Sequence, residues 1–207
     1  MMRILWVGLF ATLLSAPAGG QDGPSSADLV KALRAGGHVI VFRHGATHAD
    51  QADTDPLHPE NVAQQRQLND KGRADARAIG EALRRLQIPV GRVVTSVFNR
   101  AVETGKLIGG ADVSPSPDVS EGGLVVTPTE NNRRAQALRK LAATVPPAGT
   151  NAVVVTHKPN ILDAFGKDWF EVREGEASVL KPDGNGFRLV ARLQADQWPK
   201  LVQDGSK

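Results

Sequence analysis

His38-Val39-Ile40-Val41-Phe42-Arg43-His44-Gly45-Ala46-Thr47 is a β-branched, apolar run that ends on a cation and breaks at once into a glycine turn. Consecutive Val, Ile and Phe suit a strand covered on both faces of a sheet, so 38–43 reads as a buried strand. Arg43 and His44 then stand at its carboxyl end, where open α/β sheets place their ligands. A guanidinium fork matches the oxygens of a phosphate, and an imidazole beside it can attack phosphorus.

Upstream, Ser25 or Ser26 caps a short helix over Ala27–Ala35, with Leu29, Val30 and Leu33 on one face and Gly36-Gly37 as its stop. Downstream, Thr47–Asn69 is a long polar loop carrying Asp50, Asp53, Asp55 and His58. Loops of that length without structure of their own are usually functional, and this one is expected to form the rim of a pocket. Asn69 or Asp70 caps a helix over Lys71–Leu86, whose apolar positions recur at helical spacing.

A second buried strand is expected over Arg92–Ser96, then a helix from Asn99 or Arg100 to about Ile108. Pro115 and Pro117 mark a loop, and Leu124-Val125-Val126 reads as a weak third strand. A helix over Asn131–Ala143 stops before Pro146-Pro147. Ala152-Val153-Val154-Val155-Thr156 is the cleanest strand, with His157 at its carboxyl end and a helix over Asn160–Phe165 behind it. Ala177–Leu180 and Phe187–Leu193 form a hairpin through Pro182–Gly186. Strands alternating with helices predict a three-layer α/β/α sandwich with a mainly parallel central sheet.

Three strands thus deliver phosphate ligands: Arg43 and His44 from the first, Arg100 beyond Ser96 from the second, His157 from the last. Breaking a phosphate monoester needs a nucleophile, cations around the shifting charge and an acid for the leaving oxygen. Arg43-His44-Gly45, then Ser96-Val97-Phe98-Asn99-Arg100-Ala101-Val102-Glu103-Thr104, then Val154-Val155-Thr156-His157 occur in an order that resembles the histidine phosphatase superfamily. Gln65–Arg73 is similar to the segment before that family's first long helix. The similarity runs from about Ala27 to Leu193.

The resemblance implies a phosphoglycerate mutase-like fold and a phosphohistidine intermediate on His44. Arg43, His44, Arg100 and His157 correspond to the family's phosphate pocket. For the proton donor it points to Glu121, with Glu130 as the rival; some small members lack an evident acid. The chain departs from many members in having Lys158-Pro159-Asn160 after the second histidine. It also lacks the tract by which the mutases hold a bisphosphate, so a metal-independent phosphatase using no cofactor is expected, acting on a small phosphorylated substrate such as a sugar phosphate of the envelope.

Two other readings stand beside it. His44, His48, His58, Asp50, Asp53 and Asp55 are metal-ligand types, but they lack the spacing of a calcium loop, and His44 and His48 start in a glycine turn where helical spacing has no meaning. The alternative is a non-catalytic module that recognises a phosphorylated ligand. The presence of His44, needed for chemistry alone, argues for an enzyme.

Bulk properties agree. The chain's 207 residues fit one domain, and 41% hydrophobic with 23% charged residues is a globular balance. Met1-Met2-Arg3, the apolar run Ile4–Leu14 and Ser15–Ala18 read as a secretory signal peptide over 1–20, too short to span a bilayer. A histidine phosphatase domain is then expected over 27–195 and a C-terminal tail over 196–207, in a protein that is periplasmic or secreted with no stable membrane insertion. The chain has no cysteine, which excludes thiol catalysis and disulfides. A net charge of +3 with scattered basic residues, three Trp, six Phe and no Tyr speaks against a nucleic-acid surface.

Overall fold

The computed structural model describes residues 23–122 and 126–204. The signal-peptide reading over 1–20, and Leu124 and Val125 of the weak strand, lie outside the described residues. Ser25 caps the first helix, α1 (Ser26–Ala35), by accepting from the Asp28 amide. The helix stops at Gly36, whose φ of 77° needs glycine; a Cβ there would lie 2.6 Å from the Thr150 nitrogen. β1 (Val39–Arg43) follows, buried up to its last residue.

The loop after β1 holds only a 3₁₀ turn at Val62–Gln64 before α2 (Asp70–Arg85), capped by Asn69 through the Gly72 amide. β2 (Val90–Thr95) leads into α3 (Asn99–Gly109). β3 (Ser114–Pro115) is a two-residue edge strand inside the stretch that the prolines mark as a loop. α4 (Pro128–Ala143) starts three residues earlier than the sequence suggests, because Thr127 caps it and Pro128 fits the first helical position. β4 (Asn151–Thr156) passes through His157 directly into α5 (Lys158–Phe165). The hairpin is β5 (Ala177–Pro182) and β6 (Phe187–Leu193).

The strands form one sheet in the order β3-β2-β4-β1-β5-β6. β1, β2, β3 and β4 run parallel, and β5 returns antiparallel to β1. Alternation along each strand divides the core into two layers. Ile40, Phe42, Val153 and Val155 face one side, where they pack with Ala76, Ile79 and Leu83 of α2 and Leu33 of α1. Val39, Val41 and Val154 face the other, with Leu138 of α4 and Ile161 of α5. The chain therefore has the α/β/α sandwich with a mostly parallel sheet.

The stretch read as a C-terminal tail is different in the structure. Residues 197–204 form α6 (Gln197–Asp204), and Trp198 is fully buried against Phe42, ring centroids 6.0 Å apart. Trp198, Leu201 and Val202 fall at i, i+3 and i+4, so one face of this short helix completes the core beside α2 and α1.

Candidate active site

The parallel ladder puts Arg43 opposite Thr156 in register, so His44 and His157 leave neighbouring strands side by side. Backbone bonds hold this end rigid: the His44 amide donates to Thr156, and the Gly175 amide to the carbonyls of Arg43 and His44. Behind the turn, the Gly45 amide donates to Thr104 Oγ1 at 3.0 Å, and Thr104 donates to the Arg100 carbonyl at 2.7 Å. Gly72 lets α2 approach here. A Cβ on it would sit 2.1 Å from the Ala46 carbonyl oxygen.

His44 is buried, and its Nδ1 lies 2.8 Å from the Gly45 carbonyl. A carbonyl only accepts, so Nδ1 carries the proton and Nε2 keeps the lone pair. Burial, then His157, Arg100 and Arg43, push the ring's pKa well below 6.5 against the Gly45 hydrogen bond. His44 is thus a neutral imidazole with a defined nucleophilic nitrogen at neutral pH.

His157 packs 5.1 Å from His44, centroid to centroid, and edge-on to Phe98 at 5.5 Å. Its Nε2 is 2.7 Å from Ser96 Oγ, and its Nδ1 is 3.2 Å from Glu121 Oε1. Burial lowers its pKa more than the neighbouring Glu121 raises it. Its Nε2 thus shares a hydrogen bond with the Ser96 hydroxyl while Nδ1 faces the Glu121 carboxylate.

Arg100, the second residue of α3, has 0% of its side chain exposed and lies over Phe98, 4.6 Å from the ring centroid. Its terminal nitrogens grip Asp53 bidentately at 2.9 and 3.0 Å, and Nη2 also contacts Glu121. Arg43 donates from Nη1 to the Val172 carbonyl at 2.9 Å and lies 3.6 Å from Glu174. Burial would raise the Glu121 carboxyl, but His157 and Arg100 outweigh it and hold the group well below the usual carboxylate range.

The structure brings His44, His157, Arg100 and Glu121 together, with Arg43 at the edge. Glu130 stands apart in the first turn of α4, bound by Arg133 at 2.8 Å and Arg134 at 2.9 Å, which lower its pKa to about 2. Lys158 lies over the Phe170 ring, 4.8 Å from its centroid. The loop's metal-ligand types disperse, Asp53 to Arg100 and Asp55 to His58. Among the described residues no group of three or more His, Cys, Asp or Glu side chains is arranged to hold a metal ion.

The sequence puts Asp53 on the expected pocket rim but not on Arg100, and it gives no sign of Glu174. Neither lies in a periodic element, so only the fold reveals where they end. Thr104 was within reach, since it follows Arg100 by four residues on one helix face.

Residues 39–130 match the family model of the histidine phosphatase superfamily (branch 1). No curated protein matches the chain's sequence. Among solved structures, the chain is similar to the protein histidine phosphatase SixA complexed with tungstate: 19% identity, TM-score 0.54, covering 77% of this chain and 98% of that one. It is also similar to phosphoserine phosphatase from Entamoeba histolytica in complex with 3-phosphoglyceric acid, with 15% identity, TM-score 0.52, and 75% and 95% of the two chains covered. A third is a mycobacterial glucosyl-3-phosphoglycerate phosphatase with VO3, at 18% identity, TM-score 0.51, and 74% and 96% coverage. At these identities the structures speak for the fold. The family match starts on β1 and takes in Arg43, His44 and Arg100, whose neighbour His157 the sheet supplies from β4; over 39–130 the chain is similar to the histidine phosphatase superfamily.

Proposed function

We propose that the chain is a phosphatase that hydrolyses phosphate monoesters through a phosphohistidine on His44, without metal or cofactor. The observation that carries this reading is the tautomer of His44, with Nδ1 committed to the Gly45 carbonyl and Nε2 left as a neutral nucleophile beside His157 and Arg100. In the first step Nε2 attacks phosphorus, the N–P bond forms and the bond to the leaving oxygen breaks. Arg43, Arg100 and His157 stabilise the three equatorial oxygens as charge spreads onto them.

Glu121 is the proton carrier in this scheme. It is ionised while Arg100 and His157 hold it. A phosphate dianion settling beside it raises its pKa, so that it takes up a proton and delivers it to the leaving oxygen. In the second step the same carboxylate takes a proton from water as water attacks phosphorus, and the N–P bond breaks to release phosphate and free His44. The similarity to a phosphoserine phosphatase in complex with 3-phosphoglyceric acid and to a glucosyl-3-phosphoglycerate phosphatase supports a small phosphorylated substrate. The reading includes export, on the strength of the basic, apolar and small-residue runs over 1–18, and a sugar phosphate of the envelope as the substrate class.

Phosphate release from para-nitrophenyl phosphate, in chelator, tests it with wild type beside His44→Ala. Chelator-resistant turnover that the variant loses, with an acid-labile phosphoprotein trapped on quenching, is the expected result. Phosphate binding without turnover at any pH would instead mark a recognition module.

A further inference from the structure

The cationic groups assigned to phosphate already hold anions of the protein's own. Arg100 is wholly buried, and both terminal nitrogens bind Asp53 in the side-by-side geometry that suits a carboxylate or two phosphate oxygens equally. Glu121 takes a further position on Nη2 and faces His157. Glu174 lies against Arg43. A phosphate dianion arriving at this site meets carboxylates on each guanidinium, so a like charge must leave before it can bind.

Asp53 is the one placed to leave. Glu121 follows Ser120, whose carbonyl accepts from Arg134 at 2.9 Å and Asn160 at 3.0 Å and whose hydroxyl is bonded to Val97 and Ser116, and its own carboxylate is shared between Arg100 and His157. Asp53 rides on the Thr47–Asn69 loop, which has no strand and only one 3₁₀ turn. Besides Arg100, its carboxylate is held by the Arg66 amide, which donates to Oδ1 at 3.0 Å, and the next residue is tied by the Thr54 amide, which donates to the Gln64 carbonyl at 2.9 Å. A second observation points to a missing anion. Arg100 Nε is buried with no hydrogen-bond partner among the described residues, a donor that a phosphate oxygen would satisfy.

We propose that Asp53 is an internal counter-ion of the phosphate site, which substrate phosphate displaces from Arg100, releasing the loop segment that carries it. The inference rests on the phosphatase reading above and adds a positioning residue to it. Asp53 keeps the Arg100 fork oriented while the site is empty of substrate, and it makes weak anions compete against a bidentate carboxylate. Only a ligand that engages Arg100, His157 and Arg43 together outcompetes it.

The test is calorimetric binding of inorganic phosphate to wild type, Asp53→Asn and Asp53→Glu, with hydrogen exchange over 47–69 in wild type with and without phosphate. Asparagine keeps an acceptor for the Arg66 amide but removes the charge, so Asp53→Asn is expected to bind phosphate on the order of tenfold tighter. It should also lower KM for para-nitrophenyl phosphate, and Asp53→Glu should restore the wild-type affinity. In wild type, phosphate should speed exchange in peptides containing Arg66. Unchanged or weaker binding by Asp53→Asn, or slower exchange around Arg66 with phosphate, would show that Asp53 stays on Arg100 and overturn the proposal alone. Phosphate binding by neither wild type nor variant would overturn the phosphate-site reading beneath it.

Discussion

His44 titrates below the range of an ordinary histidine, because burial and the nearby cationic and imidazole groups disfavour its charged form. The sign follows directly: the neutral, attacking ring persists to more acid pH than a free imidazole would. The acid limb of the kcat/KM profile assigned to His44 should therefore fall below pH 6.5, and a limb at or above that value would contradict the geometry. Glu121 makes a second prediction. Glu121→Gln should lower kcat for an alkyl phosphate by about 10²–10⁴-fold, yet barely affect an aryl phosphate whose leaving oxygen needs little protonation. Equal losses on both substrates would assign Glu121 to binding. These residues differ in how far the sequence exposes them. Arg43, His44 and His157 follow apolar strands whose β-branched runs announce where the chain must turn. Glu121 and Glu130 stay rivals until Thr127 and Pro128 are seen to start α4, which commits Glu130 to a helix surface. Asp53 is legible only as one polar residue of a rim loop, since its pairing with Arg100 depends on where an aperiodic loop folds.

At the scale of elements, the site depends on how closely α2 meets the turn after β1. Gly72→Ala places a methyl group 2.1 Å from the Ala46 carbonyl oxygen, a backbone neighbour with little freedom to yield. The expected cost is about 1–3 kcal/mol of stability, the usual range for forced overpacking, together with lost turnover as Gly45 and His44 shift. A denaturant midpoint unchanged from wild type would mean that the two segments separate without strain. α1, α2, α3 and the principal strands were legible because their periods and caps agree, Ser25 and Asn69 included. β3 was not, since Ser114-Pro115 has neither length nor alternation. α6 was hidden for another reason. Eight residues are few for a helix, and Pro199 reads as a breaker, although in the first turn its missing N–H leaves no bond unmade.

The molecule as a whole buries three histidines, His38, His44 and His157, whose pKa values burial lowers from 6.5. An unfolded chain takes up protons on them as pH drops through 6.5 while the folded chain does not, so stability present above that pH declines below it. Glu121, also lowered, acts with the same sign at more acid pH. His58, raised by Asp55, opposes them, but the His58 ring is exposed and solvent screens the pair. Tm should be higher at pH 7.5 than at pH 5, and a maximum at or below pH 5 would refute the burial argument. Trp198→Ala should cost about 3–5 kcal/mol, since this side chain anchors α6 over Phe42; a cost near zero would mean that the last helix is peripheral.

The two ends of the sheet also bear on how copies of the chain meet. At the β3 end the template for another strand is two residues long, and Pro115 has no N–H to give. At the β6 end Arg188 sets a charge on the border, while Arg192 is committed to Glu176 and the Asp168 carbonyl. Neighbouring chains crowded together are thus denied a cross-β seam along the β3 border, and a protein without disulfides gains resistance to aggregation from the way its sheet terminates there.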